Sequence, residues 1–146
     1  MSTVRHIGRA VASTNFAAPA YRVDLRAGAH ELVADEPATA GGGDLGPTPF
    51  GFLLSGLAAC TAMTLRMYAE RKGWELTTID VDVRYDITDD ESGAIERTIT
   101  VQADLPGEQR DRLADIAERT PVTLALRDGT PITTTLHSDD TTRTTP

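Results

Sequence analysis

Cys60, in the run AACTAMT, is the only cysteine of the 146-residue chain and the only nucleophile in a distinctive context. A thiolate attacks peroxides, disulfides and electrophilic carbon, but only where an arginine, a histidine or a helix N-terminus lowers the thiol pKa. Otherwise a free cysteine behaves as a small buried hydrophobe. Cys60 lies about three turns into the helix read below, beyond the first-turn reach of the helix dipole. The charge must therefore come from an arginine elsewhere. Arg5, Arg9, Arg22 and Arg26, in the N-terminal strands, are the candidates, and the sequence does not choose among them. A single cysteine excludes an intramolecular disulfide and a Cys-rich zinc site, and His6, His30 and His137 lack ligand spacing, so neither a metal nor a cofactor is expected. Ser55 and Thr61 have no His–Asp pair beside them. The GGGD run at Gly41–Asp44 lacks the lysine and spacing of a phosphate loop and puts an acid where an anion would sit.

These residues need elements to hold them. Alternating apolar and polar residues predict strands over 4–14, 20–28 and 30–35. The stretch 35–47, with four glycines and two prolines, reads as a loop. Thr48 as cap and Pro49 at the first helical position open a helix that runs to Lys72 and ends at Gly73, about 35 Å long at about 1.5 Å per residue. Its apolar run, Phe50 to Leu65, is about 16 residues, short of the roughly 20 that span a bilayer, and reads as a buried core helix. Two further strands, 76–88 and 94–105, form a hairpin around the turn Asp89–Gly93. A helix over 108–120 carries Leu113, Ile116, Ala117 and Thr120 on one stripe, and Pro121 limits it. A strand over 130–136 closes a single domain, 1–138, before a polar tail, 139–146, expected to be disordered. Segregated strands and helices make the fold class α+β.

Composition narrows the partners. Fourteen basic against 22 acidic residues give a net charge of −8, which repels a phosphate backbone and disfavours nucleic acid. No secretory leader pattern opens the chain and no membrane span is read, so a cytoplasmic protein is expected. The central helix, apolar on every side, is hard to cover with the other elements of one chain, which predicts a homodimer.

The segment GPTPFGFLLSGLAACTAMTLRMYAERKGW closely resembles the OsmC/Ohr family, the osmotically inducible and organic hydroperoxide resistance proteins, in its OsmC-like branch. The usual form there is close to GPTPFELLLAALGACTAMTLRMYADRKGW, so nearly thirty residues align without a gap. The likeness continues upstream through Gly28, His30, Leu32 and Asp35-Glu36-Pro37, and downstream through DIAERTPVTLAL, similar to the family's IADKCPVHRTL. The resemblance implies an intertwined homodimer with antiparallel sheets, long central helices and two sites at the subunit interface. In peroxidase members a cysteine on the central helix is oxidised to a sulfenic acid, a second cysteine before a Pro-Val resolves it, and a dithiol reduces the disulfide. An arginine and a glutamate activate the first thiolate. The first cysteine maps onto Cys60, the second onto Thr120 and the glutamate onto Gly51, while Ala12–Pro19, where the family places its TGGR-type segment, holds no arginine. Two functions follow: a one-cysteine thiol peroxidase that reduces a small organic hydroperoxide in oxidative-stress defence with an external thiol or dithiol, or a non-catalytic protein that binds an apolar ligand in an interfacial pocket lined from Phe50, Phe52, Leu53 and Leu57.

Overall fold

The computed structural model describes residues 2–138; the predicted tail 139–146 lies outside the described residues. Strands β1 (Ala10–Ser13), β2 (Val23–Ala27) and β3 (His30–Ala34) form an antiparallel meander. Ala27 pairs with His30 across the two-residue turn Gly28-Ala29, and Gly28 takes the positive φ that tight hairpin turns require. The first strand is shorter than predicted: residues 4–9 belong to no element, and Val4 and Ile7 are exposed. Alternation there marks a strand pattern that finds no partner among the described residues of the chain.

Helix α1 spans Pro49–Lys72 with the predicted ends. Thr48 Oγ1 accepts the Gly51 N–H at 3.0 Å, and Gly73 ends the helix in the left-handed region while the Trp74 N–H returns to the Ala69 carbonyl at 2.9 Å. Strands β4 (Thr78–Ile87) and β5 (Gly93–Gln102) form the predicted hairpin as a separate two-stranded sheet. Its turn is tied by Asp90, whose carboxylate accepts from Thr88 and Ser92; these bonds hold its pKa down at about 2. Helix α2 (Gly107–Ala117) follows. Leu65, Tyr68, Leu113 and Ala117 form the core, with Ile79, Ile99 and Val101 of the hairpin packed against it.

Three further expectations change. Thr120 is not the last member of the α2 stripe: it caps a further helix, α3 (Pro121–Asp128), with Pro121 at its first position, the same start signal as Thr48-Pro49. The predicted strand 130–136 does not form; residues 129–138 have no regular element, and Ile132 and Leu136 are exposed. Nor is α1 a wholly buried helix. Leu57, Thr61, Leu65, Tyr68 and Ala69 make one buried side, while Phe50, Leu53, Met63 and Met67 stand exposed. At 24 residues α1 is long and apolar enough, by length and composition alone, to cross a membrane, which the 16-residue count did not anticipate.

Candidate functional site

Cys60 is half-buried near the middle of α1. Among the described residues no side chain hydrogen-bonds to its sulfur. Arg5, Arg9 and Arg26 are exposed, and Arg22 pairs with Asp24 at 3.0 Å, so the four arginines singled out from the sequence do not form a cluster around the thiol.

The buried cation is instead Arg97, on β5, with its side chain 10% exposed. Along β5 the inward face runs Ile95, Arg97, Ile99, Val101, so strand alternation aims the guanidinium at α1. There Nη1 donates to Thr61 Oγ1 at 3.0 Å and to Thr123 Oγ1 at 2.8 Å, and Nη2 donates to the Ala117 carbonyl at 2.9 Å. One side chain thus ties β5 to α1, to the C-terminal end of α2, where a cation opposes the helix dipole, and to α3. Thr61 Oγ1 donates in turn to the Leu57 carbonyl at 2.7 Å, and Thr123 Oγ1 lies 2.6 Å from Thr120 Oγ1. Every buried side-chain nitrogen and oxygen among the described residues has a partner. The sequence signal for Arg97 was present: a charge between two isoleucines on the packed face of a strand must find acceptors, because an unpaired buried charge is prohibitive. Which acceptors it finds depends on α1 and α3, far away in sequence.

Thr120 is fully buried and linked through Thr123 and Arg97 to Thr61, the neighbour of Cys60. Gly51 occupies the third position of α1. A Cβ there would stand 3.3 Å from Thr48 Oγ1 and 3.4 Å from Pro47 Cβ, tight but not blocked. Of the proposed pocket residues, Phe50, Leu53 and Leu57 share one side of α1, whereas Phe52 lies about 200° from Phe50 at about 100° per residue. Leu57 is buried; Phe50 stacks on Tyr85, ring centroids 4.9 Å apart and planes 9° apart.

The glycine loop is filled from within. Asp35, 1% exposed, accepts N–H bonds from Glu36 at 2.8 Å, Gly43 at 3.1 Å and Leu45 at 3.2 Å, so its carboxylate sits where a loop of this kind would hold an anion. Burial opposes its ionisation, but the three N–H groups and the Arg22 charge outweigh it and hold the pKa below the usual 3.8. Gly42 lets the loop close on its own start at Glu36 and Gly46 lets it lie on β3, since a Cβ would stand 2.0 Å from the Glu36 oxygen at the first and from the Val33 oxygen at the second. Among the described residues no group of three or more His, Cys, Asp or Glu side chains could hold a metal ion.

The family model described as OsmC-like protein matches residues 41–135, a stretch of 95 that includes α1, the hairpin and both later helices. The chain belongs to the OsmC-like family. Solved structures agree in fold. An OsmC-like protein of Mycoplasma pneumoniae is similar at 18% identity over 85% of this chain and 89% of that one, with a TM-score of 0.66. The organic hydroperoxide resistance protein OsmC of Legionella pneumophila is 18% identical over 86% and 92%, with a TM-score of 0.63. The organic hydroperoxide resistance protein OhrB of Bacillus subtilis is 24% identical over 84% and 91%, with a TM-score of 0.57. No curated protein matches this chain in sequence. The mixed fold, with its antiparallel sheets and long helix, is that of this OsmC-like group.

Proposed function

We propose that this OsmC-like protein is a one-cysteine thiol peroxidase of the cytoplasm that reduces small organic hydroperoxides in oxidative-stress defence. The observation that carries the reading is the place of Cys60: the chain's only thiol, half-buried on the central helix of an OsmC-like fold, one residue from the hydroxyl that Arg97 and Thr123 connect to the Thr120 position. In the reaction the Cys60 thiolate attacks one peroxide oxygen, the O–O bond breaks, and the other oxygen leaves as an alkoxide that takes a proton to become the alcohol. Cys60 is left as a sulfenic acid. With threonine at position 120 the chain has no second thiol, so an external thiol condenses with the sulfenic acid, releasing water, and a second thiol exchanges the mixed disulfide and returns the Cys60 thiolate. No guanidinium among the described residues bonds to the sulfur, so its activation falls to a second copy of the chain. That copy also covers the apolar side of α1 bearing Leu53, Met63 and Met67, which makes the active form a homodimer.

The loss of the family's partners at Gly51 and Thr120 favours a second reading, an interfacial binding protein whose pocket is lined from Phe50, Phe52, Leu53 and Leu57. Intact-mass spectrometry after cumene hydroperoxide treatment, with a sulfenic-acid trap present, separates the two. Oxidation or trapping at Cys60 is expected, and in the Thr120→Cys variant a disulfide between residues 60 and 120. An unchanged mass under excess peroxide overturns the peroxidase reading and leaves the binding one. The untreated protein should sediment as a dimer; a stable folded monomer at micromolar concentration removes the second copy from the site.

A further inference from the structure

A cleft of about 460 Å³ opens between α1, the β4–β5 hairpin and α3, on the side of α1 that carries Leu57. This is the size of small-molecule pockets, which combine apolar walls with a few convergent polar groups. Leu57, Ile95 and Leu126 supply the apolar wall, and Arg97, Arg127 and Glu118 are the charged groups at the polar end. In a chain of net charge −8 this lining carries two cations and one carboxylate, an excess of positive charge against the sign of the whole molecule. Glu118 is shared. One carboxylate oxygen pairs with Arg127 Nη2, and the other stands 3.5 Å from Arg97 Nη2, too long for a good hydrogen bond. Its side chain is 57% exposed, so it can swing into water without cost to the core. Arg97 is held in place by Thr61, Thr123 and the Ala117 carbonyl whether or not Glu118 stays.

We infer that this cleft binds a small aliphatic monocarboxylate, whose carboxylate takes the place of the Glu118 side chain between Arg127 and Arg97 and whose chain lies along Leu57, Ile95 and Leu126. Guanidinium N–H groups are strong carboxylate donors: displacing Glu118 frees the Arg127 Nη2 donors, Arg97 keeps one Nη2 hydrogen beyond the one given to the Ala117 carbonyl, and Arg97 is already ordered by its protein partners, so little further entropy is lost on binding. The apolar wall selects an organic acid over an inorganic anion. The site uses no atom of Cys60, and its occupancy is read by binding alone, so it stands or falls independently of the peroxidase chemistry.

The full-length protein is titrated with hexanoate, with hexan-1-ol and with inorganic phosphate, and the methyl NMR signals of Leu57, Ile95 and Leu126 are followed. Saturable shifts with hexanoate, and none with the alcohol or phosphate over the same range, are expected. Removing the internal competitor in Glu118→Gln should tighten hexanoate binding about two- to fivefold, the scale of an exposed ion pair. Arg127→Gln should weaken it about tenfold. Both side chains are more than half exposed, so both variants should fold, which the unchanged remainder of the spectrum verifies. Absence of hexanoate shifts, equal binding of the alcohol or of phosphate, or weaker binding in Glu118→Gln would each overturn the inference.

Discussion

Replacing Arg97 with methionine isolates the polar hub, because the stem is kept and only the guanidinium is lost. Three hydrogen bonds disappear, to Thr61, Thr123 and the Ala117 carbonyl. Their consequences differ. Thr61 still donates to the Leu57 carbonyl and Thr123 still meets Thr120, so each hydroxyl keeps a partner and costs about 0.5–1.5 kcal/mol. The Ala117 carbonyl loses a charged donor, worth about 1.5–3 kcal/mol, and retains only a long contact from Thr123 at 3.4 Å. Against this, a guanidinium 10% exposed is partly stripped of water, and substituting an apolar side chain of similar size returns about 1–4 kcal/mol. At mid-range the losses exceed the return, and a net destabilisation of about 2 kcal/mol follows. Urea unfolding at fixed protein concentration measures it, since any self-association would make the midpoint depend on concentration. A cycle with Thr123→Val should show coupling of about 1 kcal/mol between the two positions. If Arg97→Met unfolds at the wild-type midpoint or above, desolvation outweighs the hydrogen bonds and the hub does not hold the three elements together.

Two further outcomes test the loop and the hairpin. Because the Asp35 pKa is lower folded than unfolded, the unfolded state binds more protons; the stability it contributes is present above about 3.8 and is lost as pH falls through the folded value. Asp35→Asn should therefore reduce stability at neutral pH, with the gap to wild type closing as the pH falls below 3.8, and hydrogen exchange at Gly43 and Leu45 should quicken; a gap that does not change with pH would refute the assignment. A Cβ at Gly93 would stand 2.0 Å from Tyr85 Oη, so Gly93→Ala must push the ring off its stack with Phe50. A loss of about 1 kcal/mol in thermal unfolding, with a change in the tyrosine near-ultraviolet dichroism, is expected, and an unaltered spectrum would show that the stack does not depend on the glycine.

Much of the frame was legible because local chemistry dictates it. Thr48 with Pro49 starts α1 and Gly73 stops it whatever surrounds them, and alternation from Thr78 to Gln102 with a polar turn makes a hairpin by itself. The same start signal at Thr120-Pro121 is masked in the sequence because Thr120 also fits the apolar spacing of α2, and a proline at the end of one helix is equally the first residue of the next. The strand predicted over 130–136 shows the opposite limit: alternation supplies a suitable pattern, but a strand exists only where another edge pairs with it.

The single thiol of Cys60, the absence of a second one, the helix that carries it and the OsmC-like motif around it are properties of the residue order alone, since each depends on residue identity or on contacts within a few positions. What tertiary structure decided was the company each residue keeps. Arg97 is buried rather than solvated because β5 turns it toward Thr61, Ala117 and Thr123, residues 20 to 36 positions away, and only their convergence can replace the water a guanidinium gives up. Asp35 fills the glycine loop because the chain folds back from Gly43 and Leu45 onto the end of β3. Neither partnership can be read from spacing, because long-range hydrogen bonds depend on how elements pack, and packing is a property of the whole chain.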